Sequence, residues 1–300
     1  MMMRWISAGA LLLMSASAWA ISPYIQGDSV PGGSVQAAAS AVETRLKNAG
    51  FKVIGKYFPQ NLAGYGVVIA TDDAMLDEVG SVGGHAVMGA AIRVGVKANG
   101  SIAYTNPDYW YRAYFRKSFD KKEAAVKALQ GRLQGALGAG KGVGGDESPA
   151  SLTNYRYMVG MERLDSPKNK LAEYGSFAEA VKTVRDNLGK GTGKASKIYE
   201  VVMPDRKLAV FGVAMNDGGH GDGEWIKKID QQESVAGLPY EIYVVDNQVS
   251  SPHGRFRIAL AFPDVGMGQF MRISSLPNAI METMGAVAGV EKKSSSESWQ

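Results

Sequence analysis

Residues 34–46 read SVQAAASAVETRL, and residues 176–188 read SFAEAVKTVRDNL. In both stretches the apolar residues recur at the i, i+3, i+4, i+7 spacing of a helix that buries one face. Ser34 and Ser176 are suitable N-cap residues, and Gly50 and Gly189 predict where the helices end. The shared pattern predicts a chain with two similar halves.

Extended segments that match in order follow each of these helices. In the first half they are Phe51–Tyr57, Tyr65–Thr71, a strand through Ile92, Val94 and Val96, and Ile102-Ala103; in the second half they are Lys197–Met203, Leu208–Met215, a strand through Ile242 and Val244, and Ile258-Ala259. Asn99-Gly100 predicts a tight hairpin before the last strand of the first half, and residues 250–254 predict a longer loop at that place in the second. Both last strands run into Pro-Asp, at Pro107-Asp108 and Pro263-Asp264.

A closing helix and an opening strand complete each half. The closing helices have the apolar stripes Val126, Leu129, Leu133 and Leu276, Ile280, Met284. The opening strands are predicted at Tyr24–Ile25 and, with a clearer pattern, at Tyr155–Met161. The sequence therefore predicts an α+β fold of two tandem β-α-β-β-β-β-α units, each with an antiparallel sheet and helices on one face.

Three stretches carry a resemblance to a known family. The first helix ends in NAGFKV at residues 48–53, the third strand of the second half is entered through LPYEI at residues 238–242, and the last strands end in Pro-Asp. In these features both halves resemble the domain of unknown function 302 family. The resemblance implies a fold like that of the TATA-binding protein, without DNA binding, and it implies no reaction and no catalytic residues.

The N-terminus has the pattern of a secretory signal peptide. Arg4 precedes the apolar run Ile6–Met14, and Ala18-Trp19-Ala20 offers a small-residue cleavage site. The run is shorter than the roughly 20 residues that span a bilayer, so we expect export to the periplasm or beyond rather than a membrane anchor. The predicted organisation is a signal peptide at 1–20, a first repeat at 21–137, a Gly-rich linker at 138–151, a second repeat at 152–290 and a polar tail at 291–300.

Composition excludes several classes of protein. The chain has no cysteine, so no disulfide stabilises it outside the cytoplasm. Its formal net charge of +4 falls to +3 when Arg4 leaves with the signal peptide. This charge is too small to predict nucleic acid or an anionic membrane as a partner.

Two of the three histidines are candidate metal ligands. His85 and His220 each follow two glycines, and Asp217, Asp222 and Glu224 near His220 offer carboxylate oxygens. Met88, near His85, offers a thioether for copper or haem. The competing interpretation is that both histidines lie in ordinary flexible loops; we predict no cofactor and keep a metal or haem as the alternative.

The densest aromatic and cationic stretch follows Pro107. Such a run is typical of a ligand pocket or a partner surface, because tyrosine and tryptophan present an apolar body with a polar tip. An equal alternative is a turn whose rings cover the end of the sheet. The predicted ligand-binding or interface residues are Asp108, Tyr109, Trp110, Tyr111, Arg112 and Tyr114, with Asp264 from the second half.

Catalytic motifs are weak throughout the chain. No Gly-x-Ser-x-Gly elbow occurs in a strand-to-helix setting, and the phosphate-loop-like residues 135–141 are followed by Gly142 where serine or threonine is needed. The carboxylates of Asp72 and Asp73 are neighbours that point to different sides of a strand. Our leading hypothesis is an exported, non-catalytic module that binds a small molecule or a protein; the alternatives are a metal- or haem-dependent enzyme using the loop histidines, and a structural subunit of a periplasmic assembly.

Overall fold

A computed structural model describes residues 20–290 of the chain. The signal peptide, apart from Ala20, and the polar tail 291–300 lie outside the described residues. No helix in the described range is both long and apolar enough to cross a membrane.

The first half follows the predicted order of elements, with two inserted helices and a short strand added after the closing helix. Its elements are β1 (Tyr24–Gln26), α1 (Val35–Asn48), β2 (Lys52–Tyr57), β3 (Tyr65–Thr71), α2 (Asp73–Val82), β4 (Ile92–Lys97), β5 (Ile102–Thr105), α3 (Pro107–Phe115), α4 (Glu123–Leu137) and β6 (Gly142–Val143). A 3-10 segment, Gly84–Ala90, connects α2 to β4. His85 therefore lies in a 3-10 turn and not in an irregular loop.

The second half has a similar order, with two added short helices and, within the described residues, no counterpart of β6. Its elements are α5 (Pro149–Leu152), β7 (Lys170–Glu173), α6 (Phe177–Gly189), β8 (Ala195–Met203), β9 (Leu208–Met215), α7 (Asp222–Lys228), β10 (Tyr240–Val245), β11 (Gln248–Ser250), α8 (Gly254–Ala261), α9 (Met267–Met271) and α10 (Leu276–Val287). A 3-10 segment, Gln232–Gly237, occupies the place that Gly84–Ala90 has in the first half.

The two sheets are antiparallel, and their corresponding strands are arranged in the same order, with β6 as an additional strand in the first sheet. The first runs β2-β3-β4-β5-β1-β6, and the second runs β8-β9-β10-β11-β7. The fold class is therefore α+β with antiparallel sheets, as predicted. β6 lies within the predicted linker 138–151 and pairs with β1, so this stretch extends the first sheet.

The helices α1 and α6 form where their caps and apolar stripes predict. The Ser34 hydroxyl accepts the N–H of Ala37, and the Ser176 hydroxyl accepts the N–H of Glu179. The stripe residues of α1, α4 and α10 are buried, and so are those of α6 except Phe177, which is partly buried. Burying these stripes against the sheets and the neighbouring helices supplies the main apolar stabilisation of each half.

Two predicted strands of the second half are wrong. Residues 155–161 form turns, and the opening strand is β7, a four-residue edge strand. Ile258-Ala259 lies in helix α8, and the last strand is β11, which pairs with β10 across a tight turn at Asp246-Asn247. Asp246 adopts a left-handed φ of 53°, a conformation that aspartate tolerates in turns better than most residues do.

The 3-10 segment of each half packs on the sheet of the other half. Val235 and Ala236 lie against β4, so closely that a Cβ atom placed on Gly95 would come within 2.9 Å of Val235 Cγ1. The segment Gly84–Ala90 packs in turn against β9 and β10. This reciprocal packing joins the two halves.

A buried ionic cluster lies in the same junction. The carboxylate of Glu241 on β10 accepts hydrogen bonds from Arg93 on β4 and from Arg257 on α8, with Arg257 Nε 2.7 Å from Oε2. Burial alone raises the pKa of Glu241, but the guanidinium groups of Arg257 and Arg93 outweigh it and hold that pKa below its usual value. The carboxylate is therefore ionised and is paired with both halves of the molecule.

We expect Glu241→Gln to lower the free energy of unfolding by about 3–5 kcal/mol, because it leaves two buried guanidinium groups without their counter-charge. The matched control is Glu233→Gln, which removes the carboxylate that pairs with Lys97 across the same junction but whose side chain is 67% exposed. That control should cost no more than about 1 kcal/mol. Urea denaturation of both variants measures the two effects, and equal costs would contradict the central role of Glu241.

Candidate functional site

An open groove of about 470 Å³ lies on the second half of the molecule, between α10, the turn before β8 and the loop that joins β9 to α7. We call it the His220 groove. Its polar lining residues are Lys194, Asp217, His220, Ser275, Asn278, Glu282 and Thr283. The groove brings ammonium, carboxylate, imidazole, hydroxyl and amide side chains together in one concavity.

Local sequence explains how α10 lines the groove. Leu276, Ile280 and Met284 are buried where α10 packs on α6, α8 and β7, which turns the opposite face of the helix outward. Ser275, Ala279 and Glu282 lie on that outward face, at the spacing of successive helical turns. The stripe that predicts the helix thus also places these residues at the groove.

A tight turn presents the histidine. The backbone carbonyl of Asp217 accepts the N–H groups of His220, at 3.2 Å, and of Gly221, at 2.6 Å. This turn holds the side chains of Asp217 and His220 on one side of the β9–α7 loop, where both line the groove.

Ser275, His220 and Asp217 form a line of polar contacts across the groove. Ser275 Oγ lies 2.9 Å from His220 Nε2, a hydrogen-bonding distance. His220 Nδ1 lies 3.6 Å from Asp217 Oδ2, close enough for attraction but longer than a hydrogen bond. About a third of the His220 and Asp217 side chains is exposed, so the line is accessible to a small molecule.

Lys194 completes the electrostatics of the groove. Its ammonium group lies 2.5 Å from Asp217 Oδ1, the oxygen that does not face His220. This hydrogen bond is the main reason that the pKa of Asp217 is below its usual value. Asp217 therefore carries a negative charge across the ordinary pH range.

The predicted aromatic segment lies elsewhere and is buried. It forms helix α3 rather than a turn, and Tyr109, Trp110, Tyr111 and Tyr114 are each at most 4% exposed. Tyr109 donates its hydroxyl to the carbonyl of Leu260 in the second half. The expectation of an accessible aromatic binding surface does not agree with this placement, since the rings fill the junction between the halves.

Among the charged residues of that predicted set, Arg112 and Asp108 pair with each other, and Asp264 lies elsewhere. Arg112 pairs with Asp108 at 2.9 Å, one turn earlier in α3. Asp264 is exposed in the turn that follows α8, where its Cβ lies beside Gly145. None of the cavities described for residues 20–290 is lined by Asp108, Arg112 and Asp264 together.

The two glycine-linked histidines occupy different places. His85 lines a separate cavity of about 420 Å³ that also includes Asp165, whereas the side chain of Met88 is fully buried. Burial lowers the pKa of His85. Within residues 20–290, no three histidine, aspartate or glutamate side chains form a group able to hold a metal ion.

Of the residues that line the groove, only Asp217 and His220 were singled out from the sequence. Lys194 and Ser275 approach His220 from positions 26 and 55 residues away along the chain. The one available signal was that Ser275 directly precedes a predicted helix with proline in its first turn, which marks it as a residue at a helix start. Nothing in that signal indicates a contact with His220.

No family model matches the chain, and no curated protein or solved structure is significantly similar to it. The resemblance to the domain of unknown function 302 family therefore stays a prediction.

Asp222, the predicted neighbour of His220, has a different environment. Its carboxylate is buried and accepts hydrogen bonds from Tyr57 in the first half, at 2.7 Å, from the Met215 N–H, at 3.0 Å, and from Trp225, at 3.1 Å. Burial outweighs these hydrogen bonds and raises the pKa of Asp222 from 3.8 to about 6. Asp222 is thus part of the junction between the halves and not of the groove.

This raised pKa predicts a pH dependence of stability. Between about pH 4 and pH 6 the folded chain holds a proton on Asp222 that the unfolded chain has released, so the free energy of unfolding decreases as pH rises through this window. A shift of about 2 pKa units corresponds to about 3 kcal/mol. Asp222→Asn should remove this component of stability. The free energy of unfolding of the wild type minus that of the variant should therefore fall by about 3 kcal/mol from pH 4 to pH 7. Asp77→Asn, at an exposed site on α2, is the control; a flat difference curve for Asp222→Asn would refute the assignment.

Proposed function

We propose that this chain is an exported binding protein and that the His220 groove holds a small polar molecule. The observation that carries the proposal is the convergence of Ser275, His220 and Asp217 in one accessible groove, with Ser275 Oγ 2.9 Å from His220 Nε2. The volume of about 470 Å³ is within the usual range of small-molecule sites.

The charges of the groove favour a neutral polar ligand. Lys194 and Asp217 line the groove and pair with each other, so this pair adds no net charge to the lining. An alcohol, an amide or an ester would find donors and acceptors of hydrogen bonds in the side chains of Ser275, His220 and Asn278.

Filling the groove tests this proposal. Ala279 lines the groove from α10, so Ala279→Phe should occupy the space without touching the buried stripe of the helix. Ala124→Phe, at an exposed position of α4, is the matched control. The probes are a set of single amino acids, polyamines, sugars and short-chain esters, each tested by its shift of the thermal midpoint and then by calorimetric titration.

We expect at least one of these probes to raise the thermal midpoint of the wild type and of Ala124→Phe, and to lose its effect in Ala279→Phe. A probe that stabilises Ala279→Phe as strongly as the wild type binds elsewhere and contradicts the assignment. A set in which no probe binds the wild type contradicts it as well.

Export is the second part of the proposal. It is supported by the order of charged, apolar and small residues at positions 4–20. Ile21 exchanges two backbone hydrogen bonds with Glu147, so the fold includes the first residue after the proposed cut. We expect the full chain, expressed in a Gram-negative bacterium, to be recovered from the periplasm with Ile21 as its first residue by N-terminal sequencing. Recovery from the cytoplasm with residues 1–20 attached would contradict export.

A further inference from the structure

The contacts of Ser275 in the His220 groove are those of an activated nucleophile. A serine hydroxyl becomes nucleophilic when a neighbouring base takes its proton, and this requires the base within hydrogen-bonding distance. His220 Nε2 meets that requirement at 2.9 Å from Ser275 Oγ. The sequence offers no hint of this pair, because 55 residues separate its members.

Asp217 stands where an orienting carboxylate is needed. Its Oδ2 faces His220 Nδ1 at 3.6 Å, while Lys194 holds Oδ1 at 2.5 Å. A carboxylate on the Nδ1 side favours the tautomer whose Nε2 is free to accept a proton, and it stabilises the imidazolium that then forms. Serine, histidine and aspartate in these roles are recognised by geometry, whatever their order in the chain.

We propose that Ser275 is the nucleophile of an acyl-transfer site that hydrolyses small uncharged esters, with His220 as general base and acid and Asp217 as a positioning residue. This inference rests on the proposed function, because it uses the same groove and the same class of ligand. Ser275 stands at the start of α10, where the positive end of the helix dipole stabilises developing negative charge.

The reaction proceeds in two balanced steps. Ser275 Oγ forms a bond to the acyl carbon and its proton passes to His220 Nε2; the ester C–O bond then breaks, and the alcohol leaves with that proton. Water next attacks the acyl carbon and gives a proton to His220, the bond to Ser275 Oγ breaks, and the hydroxyl recovers the proton as the acid departs. Asn278, which lines the groove one turn into α10, offers its side-chain amide to the carbonyl oxygen of the substrate.

The experiment is covalent labelling of the full mature chain with a small neutral fluorophosphonate, followed by intact mass and peptide mapping. Parallel turnover of p-nitrophenyl acetate gives kcat/KM. Ser275→Ala is compared with Ser274→Ala, because Ser274 is the adjacent residue and is also exposed. We expect labelling at Ser275, abolished in Ser275→Ala and unchanged in Ser274→Ala.

The roles of His220 and Asp217 are tested separately. His220→Ala should slow labelling by about 100-fold or more, in line with the usual contribution of a general base. Asp217→Asn should lower kcat with little change in KM and should alter the pH profile of labelling, a readout that a purely structural role would not move.

The inference is overturned if no label is incorporated, if the label maps to another residue, or if Ser275→Ala turns over the ester as fast as the wild type. Its failure is distinguishable from failure of the proposed function. If Ser275 does not react but a probe still binds the wild type and not Ala279→Phe, the groove remains a binding site and only the nucleophile is disproved.

Discussion

The rest of the structure depends on one buried carboxylate held between two guanidinium groups. Glu241 is fully buried, and Arg93 and Arg257 are 1% and 2% exposed. The cluster keeps a net positive charge in the interior, which is tolerable only with close compensation. Trp110 contributes part of this compensation, because the centre of its ring lies about 5 Å from the guanidinium carbon of each arginine. These contacts fix β4, α3, β10 and α8 relative to one another.

That constraint extends to the candidate site through α8. Arg257 anchors this helix in the junction, and its first residue, Gly254, packs on Pro277 of α10 so closely that a Cβ atom there would lie 2.6 Å from the Pro277 Cα. Pro277 is two residues from Ser275, so the packing of α8 sets where α10 begins. The distance between Ser275 and His220 therefore follows from the buried core and not from the exposed loop alone.

The sequence predicted the elements that have one apolar and one polar face, because their apolar residues recur at a regular spacing. It did not predict the elements that lack this difference between faces. Helix α6 is amphipathic and capped, so its position was clear. Helix α8 is buried on nearly all sides, so its sequence has neither a helical nor a strand period. Residues 155–161 alternate like a strand, yet Val159 is 94% exposed. The groove was beyond prediction because its contacts join distant positions, although Asp217 was one of three carboxylates that the sequence placed near His220.

The two halves differ at the connection between the second strand and the next helix, and this difference places the groove in the second half. In the first half β3 leads almost directly into α2, and Asp72 at that point caps α2 and pairs with Arg132 of α4 through two contacts of 2.6 and 2.7 Å. This ion pair ties the closing helix to the start of α2. In the second half six residues, 216–221, separate β9 from α7, and this longer loop carries Asp217 and His220 toward the closing helix α10. In the first half an ion pair thus joins this connection to the closing helix. In the second half the same connection forms one side of a polar groove next to the closing helix. A longer loop that presents ionisable side chains at an open concavity is the usual way in which a scaffold acquires a binding site.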